Sequence, residues 1–517
     1  MTEPLRFVKP VASGQLLWFT LGLVALLRLL TLGLYPLTDT TEARYAEVAR
    51  KMAELGDWVT PWYDYGVPFW AKPPLSTWLT AASIECFGVN EFAARLPYFL
   101  LAALIAWLTW QWLAKRSRRE AVLAVSLLSG TLVFFVASAA VMTDLAMVVG
   151  TTLAMRGFWA AFESPSPLAQ VSSRMPAQVW LLFVGLGIGL LAKGPVAVVL
   201  TALPIGLWVL LTGNLAAAWK KIPWLKGTLL TLLIAAPWYA LAELKTPGFL
   251  DYFFIGEHFK RFTVTGWAGD KYGTAHASVR GTIWLYALAA CLPWTLLLPL
   301  LAFGRRAAQL KAGMQLGNTS PQAKALRQRS LYLLAWALAP CVFFTIAGNI
   351  LWTYVLPALP AFAALAAAWL ALDVRRQRVD AVVSGGLLAM ALLVGGFFVK
   401  EQLQGSWKSA KAVVAAHQMQ SLGTEPVFFI GDLPYSASFY SQGHAKVLTS
   451  NAVLATKLLA LAAAAPGSLG AARFFVALNP DQAAAMPPEI TALLQLQPLT
   501  NAGKGVYSLY LPRSSIR

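Results

Sequence analysis

The chain has 517 residues, of which 58% are apolar and only 12% charged. Soluble globular domains carry about 25% charged residues, so this composition excludes an ordinary cytosolic enzyme. The 41 Lys and Arg residues exceed the 23 Asp and Glu residues and give a net charge of +18. In so apolar a chain, that excess indicates membrane topology rather than nucleic-acid binding. The three cysteines are too few and too scattered for a disulfide framework or a zinc motif.

Apolar runs long enough to cross a bilayer, roughly 17 to 25 residues, recur over the first three quarters of the chain. We predict about eleven to thirteen transmembrane helices and therefore an α-helical polytopic membrane protein. The runs lie at 15–37, 96–113, 121–138, 141–162, 178–192, 195–211, 227–243, 282–303, 331–348, 352–371 and 381–399. The first run is too long for a removed signal peptide and lacks a small-residue cleavage site.

The basic residues predict which way the protein crosses the membrane, because cytoplasmic segments collect Lys and Arg. With the N-terminus inside, the segments between spans that fall in the cytoplasm are all basic. Their basic residues are Arg6, Lys9, Lys115, Arg116, Arg118, Arg119, Arg174, Lys220, Lys221, Lys226, Arg305, Arg306, Lys311, Lys324, Arg327, Arg329, Arg375, Arg376 and Arg378. This orientation places the loops 38–95 and 244–281, and the tail after the last span, outside the cytoplasm.

The chain therefore divides into a membrane domain, 1–399, and a tail, 400–517. The tail has short apolar runs typical of strands at Pro426–Ile430, Arg473–Ala477 and Gly505–Leu511, with an Ala/Leu-rich helix at 451–465. The segments Gly431–Pro434 and Asn479–Pro480 favour turns. We expect a small α/β domain on the outer face.

The first outer loop begins with a segment, Asp39–Glu54, whose apolar and charged residues fall on different helical faces. Such a helix is expected to lie in the membrane interface. Asp39 and Glu42 have the spacing of a capping box, which is one interpretation of both acids. Lys72 lies between aromatic residues and Pro73-Pro74, which would hold its ammonium group at head-group depth; a snorkelling lysine is the alternative.

Several segments of this loop resemble one family, the polyprenyl-phosphate-dependent membrane glycosyltransferases that include aminoarabinose lipid A transferase and protein O-mannosyltransferases. The segments that carry the resemblance are Glu42–Glu47, Gly56–Trp58, Lys72–Pro74 and Phe87–Pro97. The resemblance implies the GT-C fold: many transmembrane helices, interfacial helices in the first outer loop and a soluble outer domain. It also implies transfer of a sugar from a lipid phosphate.

Two further ionisable residues fall at the outer ends of predicted spans. Asp144 lies at the start of the fourth span, where an ionisable group is functional by default; a helix N-cap is the alternative. Lys193 is the basic residue of a short outer turn and suggests an anionic partner, with a snorkelling lysine as the alternative. In the resembling family, an acid at the first place lines the active cavity and a lysine at the second contacts the carrier phosphate.

The predicted topology brings these residues to one membrane face, together with Glu257, His258 and Arg261 of the second loop and Tyr354 at the tenth span. Cations aimed at a phosphate leaving group stabilise its developing charge, and an acid near the sugar can deprotonate the acceptor. The predicted phosphate ligands are Arg44, Lys72, Lys193 and Arg261, and the predicted contacts to donor lipid or sugar are Tyr45, Tyr354, Glu257 and His258. An interfacial histidine and a belt aromatic are the alternatives for His258 and Tyr354.

The catalytic base is predicted to be Asp39, with Asp144 second. Glu42 competes with Asp39, because relatives carry the acid directly before this glutamate, where the present chain has Thr41. A divalent metal is doubtful: in the family a glutamate directly precedes the lysine of the first loop, and this chain has Ala71 there. Glu257 and His258 alone make a poor site.

The sequence thus predicts an inverting glycosyltransferase in a bacterial-type inner membrane, with a cytoplasmic N-terminus and a periplasmic tail. It would move a sugar from polyprenyl (undecaprenyl) phosphate to lipid A, another glycolipid, a glycan or a protein. A transporter, flippase or ligase of lipid-linked sugars is the alternative, although repeated halves are lacking. The expected partners are the donor, the acceptor and membrane lipids, without nucleic acid, and the expected state is a monomer.

Overall fold

The computed structural model of the chain describes residues 14–163, 176–273, 276–302, 321–373, 375–421, 425–463, 473–499 and 506–513. Some of the predicted features lie outside these ranges. They are the cytoplasmic cations Arg6, Lys9, Arg174, Arg305, Arg306 and Lys311, the last residue of the span 282–303, the end of the helix 451–465 and the start of the strand Gly505–Leu511.

The chain folds into two compact units. The helical unit comprises Met1–Leu29, Pro68–Ser76 and Tyr98–Leu393. The loop–tail unit comprises Leu30–Val67, Thr77–Pro97 and Val394–Arg517, so most of the first long loop groups with the tail.

Helices dominate the chain up to the tail. In chain order they are α1 (Gln15–Leu30), α2 (Thr41–Leu55), α3 (Leu75–Phe87), α4 (Glu91–Ala114), α5 (Arg118–Ser129), α6 (Leu132–Ala137), α7 (Asp144–Ala160), α8 (Leu181–Lys193), α9 (Pro195–Thr212), α10 (Leu215–Lys221), α11 (Trp224–Lys245), α12 (Phe249–Asp251), α13 (Arg261–Thr263), α14 (Thr282–Ala290), α15 (Trp294–Ala302), α16 (Pro321–Phe344), α17 (Leu359–Ala371) and α18 (Arg376–Gln404). Short 3-10 helices at Ala177–Trp180 and Trp352–Ala358 precede α8 and α17, and a π-helix covers Tyr252–Lys260.

Among the described residues, five helical segments are long and apolar enough to cross a membrane: Glu91–Ala114, Pro195–Thr212, Trp224–Lys245, Trp352–Ala371 and Arg376–Gln404. The other predicted spans also contain helices, but these are shorter or interrupted. The run predicted at 121–138 is broken into α5 and α6, and the run at 282–303 is broken into α14 and α15. The protein is a multi-pass, mostly helical membrane protein, as the sequence predicted.

Glycines allow α7 and α8 to pack at very short range. A Cβ atom added to Gly150 would lie 2.7 Å from the Gly185 carbonyl oxygen, and one added to Gly157 would lie 2.1 Å from the Leu182 nitrogen. Small residues permit such approach in helix pairs within membranes. Because the start of α7 meets the end of α8, this packing brings Asp144 to Lys193.

The first loop contains α2, as predicted for 39–54, a two-stranded sheet of β1 (Trp62–Asp64) and β2 (Val67–Pro68), and α3, which the sequence analysis did not predict. Three residues of the charged face of α2 are buried, since Glu47, Arg50 and Lys51 are at most 4% exposed. Arg50 donates to Glu47 at 2.7 Å, and Lys51 pairs with Asp64 at 3.0 Å. These ion pairs bury the polar face of α2 within the loop–tail unit.

The tail contains a five-stranded sheet in the order β4-β3-β5-β7-β6, which confirms the small α/β domain. Its strands are β3 (Val427–Ile430), β4 (Lys446–Leu448), β5 (Phe475–Leu478), β6 (Leu494–Gln497) and β7 (Ser508–Pro512), with β3 parallel to β4 and β5, and β7 antiparallel to β5 and β6. Its helices are α19 (Lys411–Gln420), α20 (Tyr435–Tyr440), α21 (Asn451–Ala463), α22 (Pro480–Ala484) and α23 (Pro488–Ala492).

Apolar clusters lie on both faces of the sheet. Val427 and Phe429 pack with Val413 of α19, whereas Phe428 packs with Leu454 of α21. The elements β4, β6, α19, α20 and α23 were not predicted from the sequence. The turn predicted at Asn479–Pro480 is wrong, because Asn479 caps α22 through a capping box and Pro480 is its first residue, a combination typical of a helix start.

Candidate active site

The helical unit contains a cavity of about 510 Å³ whose walls are mostly apolar. Its apolar lining includes Met147, Val199, Leu200, Phe254 and Phe344. The polar side chains that line it are Lys72, Lys193, Glu257, His258, Arg261, Thr263, Asn349 and Tyr354. An apolar cavity with a few convergent polar groups is typical of a ligand site.

Lys193 lines the cavity and pairs with Asp144, which lies behind it. The Lys193 Nζ atom lies 2.6 Å from the Asp144 carboxylate and 4.8 Å from the centre of the Tyr354 ring. Gly194 ends α8 at φ +77°, where an added Cβ would lie 2.6 Å from the Phe253 ring. Glycine is needed at this turn because other residues rarely adopt positive φ. The turn therefore aims Lys193 between an acid and an aromatic face.

The cavity lining also includes a buried carboxylate, that of Glu257, which holds two cations. The Glu257 side chain is 1% exposed, and its Oε2 atom accepts from Lys72 Nζ at 2.9 Å and from Arg261 at 3.0 Å. Arg261 also lies 3.3 Å from Asp270. Burial raises the pKa of Glu257, but Lys72 and Arg261 outweigh that effect and leave the pKa below its ordinary value. Glu257 is therefore ionised at neutral pH and fixes both cations.

The segment that bears Lys72 is held against the second loop by two hydrogen bonds of Trp70. The Trp70 amide donates to the Tyr272 hydroxyl at 3.0 Å, and its indole donates to Thr246 at 3.1 Å. On the Arg261 side, the Asn349 amide group donates to the Arg261 carbonyl at 2.6 Å and to the Val264 carbonyl at 2.7 Å. The positions of Lys72 and Arg261 are thus set by their neighbours.

His258 contacts backbone rather than acids. Its Nδ1 atom lies 2.8 Å from the Phe253 carbonyl oxygen, and its Nε2 atom lies 3.2 Å from the Lys193 carbonyl oxygen. Burial lowers the pKa of His258, so the ring is neutral at pH 7.

The residues present do not fit the metal that the family resemblance implies. Glu257 is committed to two cations, and Ala71 supplies only its carbonyl oxygen, which accepts from Lys72 at 2.7 Å. Within the part of the chain that the structure describes, no three His, Cys, Asp or Glu side chains are grouped to hold a metal ion.

The other predicted catalytic residues lie in the loop–tail unit. Glu42 forms a two-point ion pair with the fully buried Arg95, at 2.8 and 2.9 Å. Arg95 also donates to the carbonyls of Leu32, Tyr35 and Pro36, at 2.9, 2.7 and 2.9 Å, so its five N–H groups are all used. Glu42 therefore stabilises the fold by holding the buried Arg95 in place.

Asp39 contacts the tail. Its carboxylate accepts from the Ser436 amide at 3.0 Å and from the Ser436 hydroxyl, at the start of α20. The cap of α2 is Thr40, without a side-chain cap bond, so the predicted capping box at Asp39 is wrong. Burial raises the pKa of Asp39, although hydrogen bonds from Ser436 and the charge of Lys408 oppose this.

The structure therefore brings together, in the helical unit, six of the predicted residues: Lys72, Asp144, Lys193, Glu257, Arg261 and Tyr354, with His258 beside them. It groups Asp39, Glu42, Arg44 and Tyr45 with the loop–tail unit, where the Arg44 guanidinium lies 5.3 Å from the Tyr45 ring centre and 6.0 Å from that of Tyr435. Asp270 and Asn349 were missed by the sequence analysis. A signal for Asn349 was its place five residues before Tyr354, a predicted contact to the donor.

A helical unit with a cation-lined apolar cavity and a small α/β domain in the loop–tail unit have the architecture of the GT-C fold. Residues 16–253 match the family described as dolichyl-phosphate-mannose-protein mannosyltransferase. The crystal structure of ArnT from Cupriavidus metallidurans bound to undecaprenyl phosphate has the same fold, with a TM-score of 0.72, 18% identity and coverage of 96% of this chain and 97% of that one. In the apo state the TM-score is 0.70.

The sequence relatives are also similar to this chain over much of its length. The undecaprenyl phosphate-alpha-4-amino-4-deoxy-L-arabinose arabinosyl transferase of Aeromonas salmonicida (strain A449) is 31% identical over 382 residues, which are 71% of this chain and 63% of the relative. That of Erwinia tasmaniensis is 33% identical over 351 residues, 66% of this chain and 57% of the relative. The chain thus spans less than two thirds of these relatives. The predicted resemblance is confirmed: the chain is related to the polyprenyl-phosphate-dependent GT-C glycosyltransferases.

Proposed function

We propose that this protein is an inverting glycosyltransferase that uses a polyprenyl-phosphate sugar donor. The observation that carries the proposal is the convergence of Lys72, Lys193 and Arg261 on one mostly apolar cavity of about 510 Å³. A lipid phosphate is a ligand with both properties, since it combines a long apolar chain with an anionic group. The sequence relatives, named as undecaprenyl-phosphate-dependent arabinosyl transferases, support the same class of donor.

In this proposal the phosphate lies among the three cations and the prenyl chain along the apolar wall. A cation–phosphate contact near 4 Å contributes on the order of 1 to 4 kcal/mol, depending on how much water remains. Glu257 keeps Lys72 and Arg261 in place before the donor arrives. As the bond between the sugar C1 and the phosphate oxygen breaks, the leaving phosphate takes the bonding electrons, and the same cations stabilise the added charge.

The acceptor hydroxyl attacks C1 from the opposite side and loses its proton to a carboxylate. We propose Asp144 as this base, because it is the predicted acid that contacts a cavity-lining cation, Lys193, at 2.6 Å. A lysine is a flexible point charge and can move from a carboxylate to a phosphate, which would free Asp144 to accept the proton. Glu42 is less suited, since it is paired with the buried Arg95. Asp39 remains the alternative base.

The proposed setting is a bacterial inner membrane, with the cavity and the tail on the periplasmic side. The excess of Lys and Arg in the loops assigned to the cytoplasm supports this orientation. By likeness to the named relatives, undecaprenyl phosphate carrying 4-amino-4-deoxy-L-arabinose is the first donor to test, with lipid A as the first acceptor.

The proposal is tested with the full chain reconstituted in nanodiscs, with that donor and lipid A, by mass analysis of the products. Lys72→Ala, Arg261→Ala and Asp144→Asn are each expected to lower the rate at least about 100-fold. Lys260→Ala is the matched control, because it removes a positive charge next to Arg261 from an exposed residue that does not line the cavity. Asp39→Asn and Glu42→Gln are compared with Asp144→Asn.

One result would overturn the assignment as a glycosyltransferase, and another would overturn only the assignment of the catalytic base. If the purified protein moves the intact lipid-linked sugar across a bilayer and yields no glycosylated product with any acceptor class, the glycosyltransferase assignment fails. If Asp144→Asn retains full activity while Asp39→Asn is inactive, only the assignment of the base fails.

A further inference from the structure

A second cavity, of about 520 Å³, lies in the helical unit and shares no lining residue with the first. Its walls come from α1, α4, α5 and α6 and are almost entirely apolar. Trp18 and Trp107 border it and are 50% and 51% exposed, so the cavity is a groove that opens to the outside of the helix bundle. A Cβ atom added to Gly22 on the groove wall would meet no atom within 4 Å.

One charged residue, Arg28, stands at the end of this groove. Arg28 is 5% exposed, and its guanidinium donates to the Ser138 hydroxyl at 3.4 Å and to the Val136 carbonyl at 3.2 Å. It also lies 4.9 Å from the centre of the Phe135 ring. Arginine stays protonated at physiological pH, and its five donors suit a phosphate. An ionisable residue within a spanning helix is expensive and is a functional candidate by default.

The length of the groove matches one leaflet of a bilayer. Trp18 lies ten residues before Arg28 on α1, so the helix advances about 15 Å between them. Half of a hydrocarbon core of roughly 30 Å is the same length. The groove therefore has room for about 15 Å of an acyl chain, and Arg28 lies at the end of this length that is nearer the C-terminal end of α1.

The Arg28 end of the groove lies near the start of α7, which bears Asp144 of the candidate active site. Ser138, which accepts from Arg28, is six residues before Asp144 along the chain. Six residues span at most about 20 Å when fully extended. Ser138, which holds the Arg28 end of the groove, therefore lies within about 20 Å of Asp144.

We propose that this groove is a binding site for an anionic phospholipid, with an acyl chain between α1 and α4 and the phosphate at Arg28. The apolar walls favour any acyl chain, whereas the buried guanidinium selects an anionic head group over a zwitterionic one. The site is separate from the proposed donor cavity and does not depend on the proposed transfer reaction.

The test uses the full chain in nanodiscs that contain phosphatidylglycerol or phosphatidylcholine with a photoactivatable diazirine in the acyl chain. Cross-links are mapped by mass spectrometry to the peptides that contain Trp18, Trp107 and Trp110. We expect labelling from phosphatidylglycerol to exceed that from phosphatidylcholine about tenfold, as for one charge-assisted hydrogen bond. Arg28→Gln should reduce phosphatidylglycerol labelling to the phosphatidylcholine level.

Variants that fill the groove test the site without altering Arg28. Ala106→Phe and Gly22→Leu place bulk in the groove and should abolish labelling from both lipids, whereas Leu104→Phe, on the same helix as Ala106 but outside the groove lining, should leave it unchanged. Equal labelling by the two lipids in the unmodified protein would overturn the proposal, as would persistence of the cross-links in Ala106→Phe. These two results decide the matter even if Arg28→Gln does not fold.

Discussion

The ion pair between Glu42 and Arg95 allows a prediction that separates an architectural acid from a catalytic one. Arg95 is fully buried, and its five N–H groups donate to the two oxygens of Glu42 and to three backbone carbonyls. Glu42→Gln leaves this guanidinium buried without its carboxylate. Removing one partner of a buried pair costs about 3 to 5 kcal/mol, so we expect a loss of that size in the free energy of unfolding.

A double-mutant cycle gives the sharper measurement. Arg95→Met should cost at least as much as Glu42→Gln, because the carboxylate and the three carbonyls lose their donors together. The double variant should then be more stable than the sum of the single losses predicts, by about 1 to 3 kcal/mol. The measurement is unfolding of the purified protein in detergent, followed by tryptophan fluorescence.

Glu54→Gln is the matched control on the same helix. Glu54 also pairs with an arginine, Arg50, but its side chain is 43% exposed, so its loss should cost no more than about 1 kcal/mol. If Glu42→Gln costs as little as Glu54→Gln, or if the cycle is additive, the architectural role is refuted. The folded fraction of Glu42→Gln should retain its transfer rate, whereas a catalytic Glu42 would give a stable but inactive protein.

Two further predictions concern His258 and Ser436. Because burial lowers the pKa of His258 below 6.5, the unfolded chain binds a proton more readily than the folded one, and stability should fall as the pH drops below 6.5 toward the folded pKa. Between pH 7.5 and pH 5, the melting temperature should therefore decline less in His258→Gln than in the unmodified protein. The dependence that remains is due partly to His417, whose pKa is also lowered by burial. Identical slopes of melting temperature against pH in the two proteins would contradict this prediction. Ser436→Ala removes the hydroxyl bond to Asp39 and the bond of 2.8 Å that the buried Ala410 amide donates to that hydroxyl, but it keeps the bond from the Ser436 amide to Asp39. We therefore expect a loss of about 2 to 3 kcal/mol in unfolding free energy and less than about a twofold change in transfer rate. A large loss of rate without a loss of stability would instead favour Asp39 as the base.

The elements that follow from local pattern were predicted well. The helix α2 was expected from its amphipathic spacing, and the strands β3 and β5 from short apolar runs between turns. The interruptions between α5 and α6 and between α14 and α15 were missed, although Gly130 and Pro293 lie at them. Hydropathy averages over such breaks, so a run of apolar residues predicts a buried segment but not one continuous helix.

The sequence predicts that Asp144 and Lys193 lie at the same membrane face, because the predicted topology alone assigns both residues to that face. Their distance of 2.6 Å was not predictable, since it depends on glycine contacts between α7 and α8. The contact between Asp39 and Ser436 could not be predicted from the sequence, for a stronger reason. It joins residues separated by 397 positions, and no periodicity in either segment encodes such a pairing.

The charges of the candidate site bear on how a donor would be held. Lys193 is paired with Asp144, and Glu257 holds Lys72 and Arg261. These carboxylates order the cations in advance, but an incoming phosphate must compete with them, so the net electrostatic gain on binding is smaller than the separate contacts suggest. Burial of prenyl surface, at roughly 25 cal/mol per Å², is then the larger source of affinity, and the cations serve chiefly to place the phosphate and to stabilise it as it leaves.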